Sequence, residues 1–215
     1  KNREYLELVD YFEESSIRLR EICDMKDGIK CYEVGRGEPI LTKEMCENKI
    51  YHSEIKIDNT YIKMLDGKDI SRYFIKDSKY YVKYGKNLAA PRDKNLFYED
   101  RILLRKIPGS LPYLFFSVFL NRKLLNEQSA KIAKLNTNNL NLIDIRSIVP
   151  ILNSSVLSFY LAVGLGKMQR GTFPQILLSD MKELIIPKKI YQKDTQKTLV
   201  DLYEKRCDGS ISDGD

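Results

Sequence analysis

The run from Ile148 to Pro187 constrains this chain more than any other. It opens with an apolar segment, Ile148 to Gly164, whose pattern predicts an amphipathic helix closed by glycine. A glycine–proline turn follows, Gly171-Thr172-Phe173-Pro174-Gln175. Ser179 then opens a short predicted helix with a good cap, and Leu184-Ile185-Ile186 forms an apolar run stopped by Pro187.

Upstream, the pattern alternates between helical and strand-like. Tyr5, Leu8, Phe12 and Leu19 recur at roughly helical spacing, which predicts a helix from Glu4 to Glu21. Leu19 to Ile29 changes to an alternating strand that runs into Gly28, where a turn conformation is expected. Gly35-Arg36-Gly37-Glu38-Pro39 reads as a surface loop, and Thr42 to Tyr51 as a short helix or loop. Asp66-Gly67 is a turn signal with Asp69 a candidate cap. Strands are predicted over Lys79 to Tyr84 and Arg101 to Ile107, a strand or helix lead-in over Leu140 to Ile145, and a last helix over Gln192 to Arg206. No internal repeat is present. With 215 residues and 43% hydrophobic content, the chain can bury one sizeable core.

Charge is distributed in a way that matters. Between Thr60 and Ser110 twelve basic residues face six acidic ones, with tyrosines 73, 80, 81, 84 and 98 interleaved. From Ile145 through Ser179 there is no acidic residue, while Arg146, Lys167 and Arg170 are present. A surface without carboxylates suits a phosphate backbone. The exposed candidate is the loop from Gly166 to Gln175. Lys167 and Arg170 can contact phosphates or guanine, and Gln169, Thr172 and Gln175 can meet base edges. Lys83, Lys86, Asn87, Arg92 and Arg105 are further candidate DNA contacts. The net charge of +6 permits this without requiring it.

These signals occur in a familiar order. Leu65, Gly67, Asp69, Ile70 and Tyr73 come first, then Leu152-Asn153-Ser154, then Gly171, Phe173, Pro174 and Gln175, then the apolar run ending in Pro187. The chain resembles the target recognition domains of type IIG restriction–modification enzymes, of the TaqI-like C-terminal specificity type. It is similar as well to the specificity subunits of type I systems. The resemblance implies an α+β, mixed-sheet target recognition domain with flanking helices. It implies that Leu65, Gly67, Asp69, Tyr73, Asn153, Ser154, Gly171, Phe173, Pro174 and Pro187 shape the fold. Residues 1–18 would be a helical linker, 19–187 the recognition domain, 188–206 a C-terminal helix serving as spacer or dimer arm, and 207–215 a disordered tail. The chain begins at Lys1 already inside a predicted helix, so it is expected to be a piece of a larger protein.

The resemblance also implies partners: double-stranded DNA, docked in the major groove, and an upstream methyltransferase domain of the same chain. That parent would be an S-adenosylmethionine-dependent adenine-N6 methyltransferase, with Mg2+ if a nuclease accompanies it. No cofactor or metal is expected in this fragment, and no catalysis. The one partial nuclease signature, Glu54-Ile55-Lys56, lacks its preceding Pro-Asp. Gly164-Leu165-Gly166-Lys167 has the wrong glycine spacing for a phosphate loop. The one histidine, His52, reads as a surface or edge residue. Cys23, Cys31, Cys46 and Cys207 are not closely paired and read as free thiols of a cytoplasmic protein. The longest apolar stretch, Ile107 to Leu120, is broken by Pro108, Gly109 and Pro112, and falls short of the roughly 20 residues of a membrane span. The rival reading is a protein–protein scaffold domain of a phage-defence system that reads no bases.

Overall fold

A computed structural model of the chain describes residues 3–164 and 175–211. The elements run α1 (Arg3–Ser15), β1 (Ser16–Arg18), α2 (Leu19–Ile22), β2 (Cys23–Asp27), α3 (Lys43–Glu47), β3 (His52–Ser53), β4 (Tyr61–Leu65) and β5 (Tyr80–Lys83). There follow β6 (Arg101–Arg105), β7 (Ser117–Leu120), β8 (Leu125–Asn126), β9 (Ala130–Leu135), α4 (Ile148–Leu152), α5 (Ser155–Gly164), α6 (Leu178–Lys182), β10 (Ile185–Pro187) and α7 (Lys193–Cys207). This is the α+β, mixed-sheet architecture that the resemblance implies.

A four-stranded sheet, β2-β9-β6-β7, lies at the centre with every neighbour antiparallel. Its strands are buried on both faces, which explains the nearly unbroken apolar run of β6. Ile102 and Leu104 point into one core and Leu103 into another. In β9, Ala133 joins the first core and Ile132 the second. The first core is closed by helices, through Leu19 and Ile22 of α2, Ile148, Val149 and Leu152 of α4, Leu157 and Leu161 of α5, and Met181 of α6. The second is closed by a second four-stranded sheet, β3-β5-β4-β8, through Met64, Leu65, Val82 and Leu125. In that sheet β4 runs parallel to β8 and antiparallel to β5. The molecule therefore has three layers: helices, central sheet, second sheet.

The chain departs from the sequence expectations in several places. The first helix stops at Ser15, because Ser16-Ile17-Arg18 pairs antiparallel with Ile185-Ile186-Pro187. Helical spacing continues past Ser15, but the β1 strand is made by a partner about 170 positions away, which local pattern does not encode. The segment from Ile148 to Gly164 is two helices, bent by 57°. At the break, Asn153 Oδ1 accepts from the Ser117 N–H at 2.8 Å, and Asn153 Nδ2 donates to the Ser117 carbonyl at 2.9 Å. Ser154 restarts the helix, its Oγ accepting from Leu157 N–H at 3.0 Å. Gly28 is needed for closeness rather than for turn geometry: a Cβ there would lie 2.4 Å from the Asn126 carbonyl oxygen. The α6 helix starts at Leu178, one residue before Ser179, with the Asp180 carboxylate accepting from Leu177 N–H at 3.1 Å. Residues 140–142 end a turn, and a 3-10 turn follows at Ile145–Ser147. Cys207 belongs to α7, and Ser210 N–H folds back onto the Lys205 carbonyl at 2.9 Å.

Candidate nucleic-acid interface

At one end of the central sheet β2 and β6 finish while β7 and β9 begin. Arg105, the last residue of β6, lays its guanidinium 5.0 Å from the Phe116 ring centre. The Lys106 N–H donates to Ser129 at 2.9 Å, and the Lys106 carbonyl accepts from Ile176 N–H at 3.0 Å. That last bond sets exposed Gln175 beside the end of β6. Exposed Arg92, in the left-handed region at φ 63°, reaches the same end, where its Nε donates to the Gly28 carbonyl at 3.3 Å. Arg92, Arg105, Lys106 and Gln175 thus gather around one edge of the fold. Lys167, Gln169, Arg170, Gly171, Thr172, Phe173 and Pro174 lie outside the described residues.

The motif residues that are described make a frame beneath this edge. The Gly67 N–H donates to Ser129 Oγ at 2.8 Å, and a Cβ on Gly67 would sit 2.6 Å from the Ser129 carbonyl oxygen. So the turn after β4 is locked to the turn before β9 by a contact only glycine allows. Asp69 Oδ2 accepts from Asp66 N–H at 2.8 Å, which closes a 3-10 turn; burial pushes its carboxyl pKa up. Leu65 is buried beside it. Tyr73 is buried at φ 71°, its N–H donating to the Ser117 carbonyl at 3.1 Å. Asn153 binds that same Ser117, so the Tyr73 turn and the α4–α5 break meet on one residue of β7.

The sequence profile of the TaqI-like C-terminal specificity domain matches residues 62–186, which is more than half of the chain. The chain belongs to this family. Among solved structures it is similar to a chain from a work on complex assembly and conformational transition of the type I restriction–modification system. The identity there is 11%, over 96% of this chain and 47% of that one, with a TM-score of 0.49. It is similar to the HsdS subunit from Thermoanaerobacter tengcongensis, at 13% identity, 98% and 46% coverage, and a TM-score of 0.48. It is similar also to the type I restriction–modification S subunit from M. genitalium, at 15% identity, 94% and 42% coverage, and a TM-score of 0.44. The chain spans less than half the length of each. No curated protein matches it in sequence.

The basic stretch of this specificity domain, residues 60–110, divides into working surface and scaffold. Arg101 is fully buried, and its guanidinium donates to the carbonyls of Glu99, Arg122 and Leu124 at 2.9, 3.2 and 2.7 Å. Burial lowers its pKa to about 10. Arg72 stacks 3.4 Å from the Tyr113 ring centre and donates to the Asn153 carbonyl at 3.0 Å. Lys63 pairs with Asp77. Arg101 and Arg72 are scaffold, while the pair of Lys63 with exposed Asp77 is weak. Lys83 is the last residue of β5, opposite Tyr61, and Lys86 and Asn87 follow it. Asn87 is turn architecture, its Nδ2 donating to the Lys83 carbonyl at 2.9 Å. Lys86 faces Glu38 at 3.9 Å, both well exposed, an arrangement worth little.

A polar cavity beside the interface edge escaped the sequence pattern. Its lining includes Lys30, Tyr32, Lys49, His52, Lys68, Tyr80 and Gln128, drawn from five separate parts of the chain. His52 sits on the edge strand β3, as an edge residue, yet half-buried in this lining. Among the described residues, no group of three His, Cys, Asp or Glu side chains could hold a metal ion. Among them, too, no single helix is long and apolar enough to cross a membrane.

Proposed function

We propose that this specificity domain reads a DNA sequence with the edge that carries Arg92, Arg105, Lys106 and Gln175. The observation that supports this most is the gathering of these four side chains at one end of the central sheet, in a chain of the specificity family. Arg105 and Arg92 offer planar forks for phosphate or for guanine O6 and N7, and Gln175 offers an amide for adenine. Lys167, Gln169, Arg170 and Thr172 precede Gln175 directly and would add to the same edge, entering the major groove. Lys83, on the exposed part of β5, is a lesser phosphate contact.

The unit 19–187 would be the recognition body. The segment before it and the helix after it would join it to the rest of a longer protein, and the β1–β10 pairing sets these two crossings side by side. In this reading the domain performs no chemistry. It positions the duplex for an upstream S-adenosylmethionine-dependent adenine-N6 methyltransferase, with a Mg2+-dependent nuclease where one is present, in a cytoplasmic type IIG phage-defence enzyme. The C-terminal helix would act as spacer or dimer arm.

The test is selection of the chain against a random duplex library at physiological salt, followed by sequencing. Recovery of a short fixed motif is expected. Retention without a motif, or no retention, would contradict base reading.

A further inference from the structure

The cavity beside the interface edge has the shape and chemistry of a ligand site in its own right. Its volume is about 350 Å3, toward the small end of the roughly 300–1,000 Å3 typical of small-molecule pockets. One wall is aromatic. The rings of Tyr32 and His52 stack with centroids 5.3 Å apart, and Tyr80 meets His52 edge-on at 6.3 Å.

Hydrogen bonds hold that wall in place. The Tyr32 hydroxyl oxygen accepts from Tyr51 N–H at 2.9 Å and lies 2.8 Å from His52 Nδ1, in hydrogen-bond contact. Burial first, and then the charge of Lys49, lower the His52 pKa and favour the neutral imidazole. Among the described residues His52 Nε2, the Tyr80 hydroxyl and the Gln128 side-chain amide have no partner within the chain. They are polar groups converging on one space.

Three ammonium groups, Lys30, Lys49 and Lys68, and two carboxylates, Asp66 and Glu127, line that space. Lys30 pairs with Glu33 at 3.0 Å, and Lys68 lies 3.5 Å from Asp66 and over the Tyr80 ring. Lys49 makes no ion pair among the described residues, and it is held in the left-handed region at φ 46°. The two lining carboxylates are occupied: Asp66 by Lys68, and Glu127 Oε2 by the Ser129 N–H at 2.7 Å. Lys49 is therefore the ammonium most available to an anion.

We propose that this cavity binds a nucleotide, with its phosphate on Lys49, Lys30 and Lys68 and its base against the Tyr32–His52–Tyr80 wall. The nucleotide is either free in solution or one residue of a DNA strand; the chemistry of the site is the same. The inference stands independently of whether the domain reads a sequence.

The chain has one histidine, so its imidazole proton resonances report on this cavity without assignment ambiguity. The experiment is an NMR titration of the whole chain with inorganic phosphate, dAMP, deoxyadenosine and a short duplex. Saturable shifts of the His52 signals are expected with dAMP and, more weakly, with phosphate. Deoxyadenosine should bind at least tenfold more weakly than dAMP. Lys49→Asn, chosen because asparagine tolerates positive φ, should weaken dAMP at least tenfold, and Gln128→Ala should weaken it to a lesser degree. If the duplex moves the same signals and competes with dAMP, the bound nucleotide belongs to DNA. If the duplex leaves them unmoved while dAMP shifts them, it is free. No shift with dAMP, phosphate or duplex would overturn the proposal, as would equal affinity for dAMP and deoxyadenosine or an unchanged Lys49→Asn variant.

Discussion

Arg101 and Arg105 stand at the two ends of one strand, and only one of them can leave the protein to bind something else. Arg101 is fully buried and held by three carbonyls, and burial lowers its pKa. Arg105 is half-exposed, rests on Phe116, and stands next to Lys106 and Gln175. Both counted equally as basic residues of the 60–110 stretch. The difference teaches that a basic stretch is not a basic surface: here it supplies both the ties that hold loops to the central sheet and the edge offered to a ligand.

That contrast can be tested by removing members of each class. Arg101→Ala should have the largest effect on stability, about 3–4 kcal/mol, because it leaves a buried void and three carbonyls without their donor. Chemical denaturation measures it, and DNA affinity of the remaining folded protein should be unchanged. Asn153→Ala comes next, at about 2–3 kcal/mol, since it strands the buried N–H and hydroxyl of Ser117 and frees the α4–α5 bend. A loss below 0.5 kcal/mol on the scale of a surface substitution would mean the bend is held by packing alone.

The sequence made much of this frame legible. Asp66-Gly67 and the run into Pro187 stood out because turns and strand ends have local signals, whereas Asn153-Ser154 stood out only through the family resemblance. Strands β5 and β6 and helix α7 followed from local pattern too. What stayed hidden depends on distant partners. Ser16–Arg18 is a strand through Ile185–Pro187, and the apolar helix from Ile148 breaks because Ser117 captures Asn153. Gly28 looked like a turn residue, though its role is to let β8 approach. The cavity around His52 was invisible for the same reason, since Lys30, Lys49, Lys68 and Gln128 converge only after the two sheets stack.

A smaller effect sharpens the comparison from the side of the cavity. The His52 pKa is lowered in the folded state, by burial and by Lys49. The sign follows: the unfolded chain binds the proton more readily, so this contribution to stability is complete above pH 6.5 and is lost as pH falls through the folded pKa. An NMR titration should place the His52 midpoint below 6.5, and Lys49→Asn should move it upward. A midpoint above 6.5 would remove both causes.

The central claim is that the edge at the end of β6 meets DNA while the buried arginines do not. Its most direct test is the salt dependence of DNA affinity for the wild-type chain and for Arg105→Ala combined with Lys106→Ala. The account predicts a slope of log affinity against log salt shallower by about two units, with the unfolding midpoint little changed. An unchanged slope and affinity would contradict it and move the interface elsewhere on the domain.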